Sequence, residues 1–246
     1  HTAFDLSAAP LWRAQLVREK DDLHRFVFTA HHLICDGWSS AVVFGNLAAA
    51  YAADRFGVPA KLPAAASYRE FVESGESAPM VAEAGAAEEY WMQLYAGGVP
   101  SFELPLDRPR PRLKTFSAAR EVLTIDEPLY VAVRQAGAKH GCTLFVTLLA
   151  AFEALLARLS GCEELVVGVP MASQAMLDNG HLVAHGVNTV PLRCHVALAS
   201  SFVDNLRAAR EAFLDAQAHQ RLTFGSLVSK LKTPRDPGRT PLVNVT

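Results

Sequence analysis

Residues 11–17 and 23–30 are apolar stretches of strand length, and the charged run Arg18-Glu19-Lys20-Asp21-Asp22 between them predicts a β-hairpin. The second stretch alternates, with Phe26 and Phe28 on one face and Val27 on the other, and it runs directly into His31. After Gly37 the period changes. Val43, Phe44, Leu47 and Tyr51 fall at helical spacing, which predicts a helix over about residues 38–55. A loop at 58–63 and helices over 68–74 and 81–95 follow. Residues 97–114 contain Pro100, Pro105, Pro109 and Pro111 and are expected to be irregular, a boundary or crossover. Beyond them the pattern predicts a strand over 118–125 and a helix over 128–139. The next helix, capped by Thr143, carries Leu144, Phe145, Leu148, Leu149, Phe152, Leu155, Leu156 and Leu159 at 3.6-residue spacing. The continuous apolar run at 164–169 reads as a buried strand, and 185–196 as a second apolar segment interrupted by Asn188-Thr189. Helices over 202–219 and 224–231 and a strand starting at Leu242 complete the pattern. Strands alternate with helices in both halves, so the expected class is α/β. No internal repeat is visible.

Composition narrows the function without naming it. Hydrophobic residues make up 50% of the 246, and 23 Lys and Arg nearly balance 25 Asp and Glu, giving a net charge of −2. Basic runs with interleaved aromatics are missing, which argues against nucleic-acid binding. Cys35, Cys142, Cys162 and Cys194 are scattered without a CxxC pair. That spacing fits reduced thiols in a cytoplasmic protein better than a zinc module or a disulfide framework. Apolar runs stay well short of the ~18 residues of a membrane span, and no signal-peptide pattern is present. The sequence starts at His1 and enters a strand at once, so it reads as part of a longer protein, truncated at both ends.

The candidate chemistry lies in HHLICDGWSS, residues 31–40, at the predicted strand-to-helix turn. As a metal site it is disfavoured, because neighbouring residues on a strand face opposite ways and only one of His31 and His32 can reach a given site. As pure structure it is coherent. Asp36 sits where a helix N-cap belongs, and Gly37 permits a backbone shape that other residues resist. As a proton-transfer site it is coherent as well. An imidazole titrates near neutral pH, Asp36 can fix the loop by pairing with an arginine, and the Gly37 amide at a helix start can point at developing negative charge.

HHLICDGWS resembles the HHxxxDG signature of the condensation domains of nonribosomal peptide synthetases. Further segments resemble that family in the same order: EYWMQLYAG followed by LPLDRPRP, then GCTLFVTLLAAFEALLARLSGCEELVVGVP. HGVNTVPLR is similar to GxxVNTxPLR, HQRLTF to HQxxPF, and RDPGRTPL to RDxSRxPL. The wording of several segments is most like the domains of hybrid polyketide–peptide lines. There are departures too. Gln174 stands where many members have arginine, Thr223 replaces the proline of HQxxPF, and Gly238 replaces the serine of RDxSR.

The resemblance implies two chloramphenicol-acetyltransferase-like lobes in a V shape with the active site at their interface. Residues 1–110 would be the remainder of the N-terminal lobe with the crossover, and 111–246 the first part of the C-terminal lobe. It implies an acyltransferase that forms an amide between a carrier-bound acyl or peptidyl thioester and a carrier-bound aminoacyl acceptor. His32 takes the catalytic position, as general base or positioning group, while His31 points away into structure. Asp36 pairs with an arginine and shapes the turn, Gly37 presents its amide, and Asn188 approaches the site or closes a strand bulge. His219, Arg235 and Arg239 are expected at helix ends and loops, and Cys35 in packing. No cofactor or metal is implied on the chain itself; substrates arrive on phosphopantetheine arms of separate carrier domains. Neither Ser77 nor Ser226 has the context of an attachment serine, and no nucleotide-binding loop is present. The expected partners are the two carriers and neighbouring synthetase or polyketide synthase domains, with no nucleic acid and no membrane. An ester-forming relative and an inactive docking or gating module are the alternatives.

Overall fold

The computed structural model describes residues 3–115, 117–176, 180–233 and 236–246. It forms two compact units, one of His1–Ser77 with Ala172–Val187, the other of Ala78–Met171 with Asn188–Thr246.

In the first unit β1 (Trp12–Arg18) and β2 (His24–Ala30) form the expected antiparallel hairpin, with Trp12 opposite Ala30 and Arg18 opposite His24. The Glu19 and Lys20 amides both donate to the Leu23 carbonyl and close the charged turn. The face split holds. Phe26 and Phe28 both set their rings edge-on to Phe44 of α1 (Gly37–Phe56), at 6.4 and 6.2 Å. Helix α1 starts at its Asp36 cap and stops at Gly57, whose φ of 65° is the left-handed conformation that ends a helix cheaply only with glycine. A short helix α2 (Tyr68–Gly75) is capped by Ser67.

The second unit contains α3 (Ala78–Leu94), α4 (Glu127–Ala138) and α5 (Leu144–Ser160). It continues with β3 (Glu164–Ala172) and β4 (Val187–His195), whose end residues Ala172 and Val187 count with the first unit, and with α6 (Phe202–Ala218) and α7 (Phe224–Leu231). The Val196 amide donates to Glu163 at one end of the β3–β4 pair and the Ser173 amide to Gly186 at the other, so the pair is antiparallel. The core gathers Trp91 and Tyr95, Leu149 and Leu156, the β3 run Leu165, Val166, Val167 and Val169, and Val190, Leu192, Leu227 and Val243. Helix α4 approaches α5 closely at Gly137, where a Cβ would lie 2.0 Å from Thr147 Oγ1.

Two expectations change. Residues 118–125 form no strand; Val122 and Leu123 are 81% and 89% exposed, and no partner strand among the described residues satisfies their backbone. The strand expected from Leu242 shrinks to an isolated parallel bridge between Val167 and Val245. Residues 78–110 lie in the second compact unit. Trp91 of α3 donates its indole N–H to the His219 carbonyl at 2.8 Å and the Tyr95 hydroxyl donates to Pro191, which fastens residues 78–110 into the second unit.

Helix α5 also buries a different face from the expected one. Val146, Leu149, Ala150, Leu156 and Ala157 are buried with Glu153, whereas Leu148, Phe152, Leu155 and Leu159 are exposed. The Glu153 carboxylate accepts a hydrogen bond from Cys194 Sγ at 3.1 Å. Burial is the dominant influence, opposed only by the Cys194 bond, and pushes the Glu153 pKa from 4.5 up to about 7. A raised folded-state value means that its contribution is intact below pH 4.5 and is lost as pH rises through 7, a change of about 3 kcal/mol. Glu153→Gln is therefore expected to be more stable than the native protein at pH 8, with the gap closing toward pH 5, as read by thermal unfolding at the two pH values. Equal gaps would contradict a buried, protonated Glu153.

Candidate active site

The motif is built around the start of α1. Strand β2 ends at Ala30, and residues 31–36 turn before Asp36 caps the helix. Asp36 is 3% exposed, and its carboxylate takes three strong donors. Oδ1 accepts from the Ser39 amide at 2.8 Å, and Oδ2 accepts from Gln174 Nε2 at 2.7 Å and the Gly186 amide at 3.0 Å. Burial by itself would raise its pKa, but the bonds from Ser39, Gln174 and Gly186 outweigh it and bring the value down from 3.8 to about 2. Asp36 thus stays ionised and acts as an anchor. Its expected arginine partner is replaced by the neutral Gln174, fully buried beside it.

The same helix start fastens a segment distant in sequence. Ser39 Oγ donates to the Ala184 carbonyl at 2.7 Å and accepts from the Ala184 amide at 2.9 Å. The Trp38 indole donates to the Gly180 carbonyl at 3.0 Å. Gly186 has no room for a side chain, since a Cβ there would lie 2.4–2.6 Å from the buried Gln174 amide.

Between Ala184 and Gly186 stands His185, and it meets His32. The two Nδ1 atoms are 3.0 Å apart, with ring centroids at 4.9 Å and planes at 84°. Both side chains are exposed. His31 goes elsewhere: its ring stands edge-on to Phe4, and its Nδ1 accepts the Leu33 amide at 3.1 Å. The neighbours diverge because both lie in the turn after the strand, not because a strand alternates them.

Gly37 differs from expectation. It is the first residue of α1 and has no positive φ, so the chain does not need glycine's backbone freedom there. A Cβ at Gly37 would meet nothing within 4 Å, so the position is open above the helix N-terminus.

Asn188 is committed within the second unit. Its Nδ2 donates to Gln220 and Leu222 carbonyls at 2.9 and 3.0 Å, and its Oδ1 accepts the Phe224 amide at 2.9 Å. These bonds hold the turn before α7, which Thr223 caps through the Ser226 amide. That capping bond is work a proline at 223 could not do. His219 ends α6, bonds the Asp215 carbonyl and stacks on Tyr90 at 3.9 Å. Arg239 pairs with Glu103 and Asp236. Arg235 lies outside the described residues. Cys35 is buried, and all four cysteines are unpaired. Among the described residues no cluster of His, Cys, Asp and Glu could hold a metal, and no helix is long and apolar enough to cross a membrane.

Sequence reasoning does not single out Ser39 or His185. Both lie inside quoted motifs, but their partners are 145 and 153 positions away, and nothing local announces the pairing.

The condensation-domain family model matches residues 1–246. The chain is 36% identical over 243 residues to malpibaldin synthetase of Mortierella alpina, covering 98% of this chain and 4% of that protein. It is 33% identical over 240 residues to tyrocidine synthase 2 of Brevibacillus parabrevis, covering 97% and 6%. Its fold is similar to that of the first condensation domain of the calcium-dependent antibiotic synthetase, solved with a substrate analogue. That likeness has a TM-score of 0.76 at 22% identity, over 90% of this chain and 48% of the other. The chain thus spans a small part of the curated synthetases and about half of the solved domain. A whole-length family match and relatives above 30% identity agree with the mixed helix–strand fold and the HHLICDG turn: the chain belongs to the condensation-domain family of nonribosomal peptide synthetases.

Proposed function

We propose that the domain containing this chain forms an amide bond between two carrier-bound substrates, with His32 as the group that serves the attacking amine. The observation that carries this reading is the exposed His32 imidazole at a turn anchored by Asp36, in a chain matched to the family throughout. The amine of the acceptor attacks the donor thioester carbon; a C–N bond forms and the carbonyl oxygen takes up negative charge. His32 Nε2 receives a proton from the amine nitrogen and returns it to the departing sulfur as the C–S bond breaks, so the products are an amide and a free thiol. In this reading the Gly37 amide, at the first residue of α1, is the donor offered to the developing oxyanion.

The substrates are thioesters on phosphopantetheine arms of separate carriers, supplied by neighbouring synthetase or polyketide synthase domains in the cytoplasm. Residues 1–110 and 111–246 belong to the N- and C-terminal lobes of the complete domain in this reading. The test offers the complete domain a loaded donor carrier together with acceptor carriers bearing either an amine or an alcohol, with products read by intact-protein mass spectrometry. An amide is expected on the acceptor carrier. An ester alone would identify the ester-forming relative, and no product from either acceptor would point to a docking module.

A further inference from the structure

We infer that His185 is a positioning residue for the reaction: it accepts the Nδ1 proton of His32 and so holds His32 in the tautomer whose Nε2 is free to take a proton. The inference rests on the reading of His32 as the group that serves the amine. It goes beyond that reading because it assigns a role to a residue outside the HHLICDG turn.

The Nδ1 atoms of His32 and His185 lie 3.0 Å apart. A neutral imidazole carries one N–H, and a hydrogen bond between two such nitrogens contains one proton. The two rings therefore hold opposite tautomers. The ring that donates at Nδ1 has a bare Nε2, and the ring that accepts at Nδ1 carries its proton on Nε2. Among the described residues neither Nε2 has a protein partner, and both rings are exposed. Only one of the two arrangements lets His32 act as a base. If His185 donated, His32 Nε2 would already hold a proton and could only donate. If His32 donates, its Nε2 accepts the amine proton. The resulting imidazolium keeps its Nδ1–H on His185, where the bond becomes charge-assisted and shorter.

The backbone around His185 is built to hold this geometry. Ala184 on one side is tied at both its amide and its carbonyl by Ser39, and Gly186 on the other by Asp36 at its amide and by the Ser173 amide at its carbonyl. These hydrogen bonds on the flanking residues fix the position from which the His185 ring projects. Such anchoring suits a group that must meet another within hydrogen-bond distance, because a small displacement would break a single 3.0 Å contact.

The test uses the complete domain with both loaded carriers. His185→Leu removes the acceptor but keeps bulk, and is expected to lower kcat about 10–100-fold with KM for the acceptor carrier changed by less than about threefold. His185→Asn places an amide oxygen at the position of Nδ1 and is expected to recover most of that loss. In a His32→Ala background, His185→Leu should cost nothing further, since His185 acts only through His32. Independently of turnover, long-range proton–nitrogen NMR of the histidine rings should show His32 protonated at Nδ1 in the native domain and shifted toward the Nε2–H form in His185→Leu. Full turnover in His185→Leu, or an additional loss in the His32→Ala background, would overturn the inference. So would a native His32 protonated at Nε2. Because the NMR reading needs no product, an inactive native domain would sink the proposed function without deciding this point.

Discussion

Replacing His32 with alanine is expected to lower amide formation by the complete domain by roughly 10²–10⁴-fold, the span typical of a lost proton-transfer group. The melting temperature should hardly move. His32 is exposed, its side chain makes one hydrogen bond among the described residues, to His185, and it belongs to neither the capping bonds of α1 nor the apolar core. Surface substitutions of that kind change stability by about 0.5 kcal/mol or less. The alternative explanation of any activity loss, damage to the turn, therefore separates cleanly: it would lower turnover and melting temperature together. Single-turnover measurement with preloaded carriers isolates the chemical step from carrier docking. Native-like turnover in His32→Ala would remove it from the mechanism, and a matched drop in melting temperature would make its role structural.

Which parts of this could be read in the sequence follows from how local their causes are. The hairpin, α1 and α4 to α7 are set by period and capping within a dozen residues, and their bounds are legible to within one position at each end. Asp36 announced itself as a cap because the cap is a local bond to Ser39. What stayed illegible depends on partners far along the chain. The run 118–125 has the composition of a strand but finds no neighbour among the described residues, and composition cannot supply one. Helix α5 is apolar nearly all round, so its period could not choose a face; the buried face includes Glu153, which any pattern would send to solvent. At the site, HHLICDG was visible and so was HGVNT, but the bond that joins His32 to His185 spans 153 positions. The sequence also suggested a charged partner for Asp36 from family habit. The structure instead surrounds the carboxylate with amides, which neutral Gln174 completes.

Asp36→Ala is expected to act in the opposite way from His32→Ala, lowering stability by about 3–7 kcal/mol and activity with it. Removing the carboxylate forfeits an N-cap worth about 1 kcal/mol. It also leaves the Gly186 amide and the Gln174 Nε2 without their principal acceptor in a buried place, at about 1–3 kcal/mol for each unsatisfied donor. Freed Gly186 would no longer hold His185, so turnover should fall through misplacement of that ring. Asp36→Asn separates charge from shape. One amide oxygen can still receive Ser39, but the other position becomes an NH2 facing two donors. Gln174 can answer by turning its amide, since its Oε1 accepts no hydrogen bond from the described residues, whereas the Gly186 amide cannot. Asp36→Asn should therefore fall between the native protein and Asp36→Ala. The pH dependence supplies an independent check. The folded-state pKa of Asp36 lies below its ordinary 3.8, at about 2, so its charge contributes above pH 3.8 and is lost as pH falls through 2. The shift corresponds to about 2–3 kcal/mol. The stability gap between the native domain and Asp36→Ala, measured by denaturant unfolding, should be full at pH 7 and shrink by that amount between pH 4 and pH 2. A gap independent of pH, or a loss of activity with an unchanged melting curve, would show that Asp36 does not hold this site together through its charge.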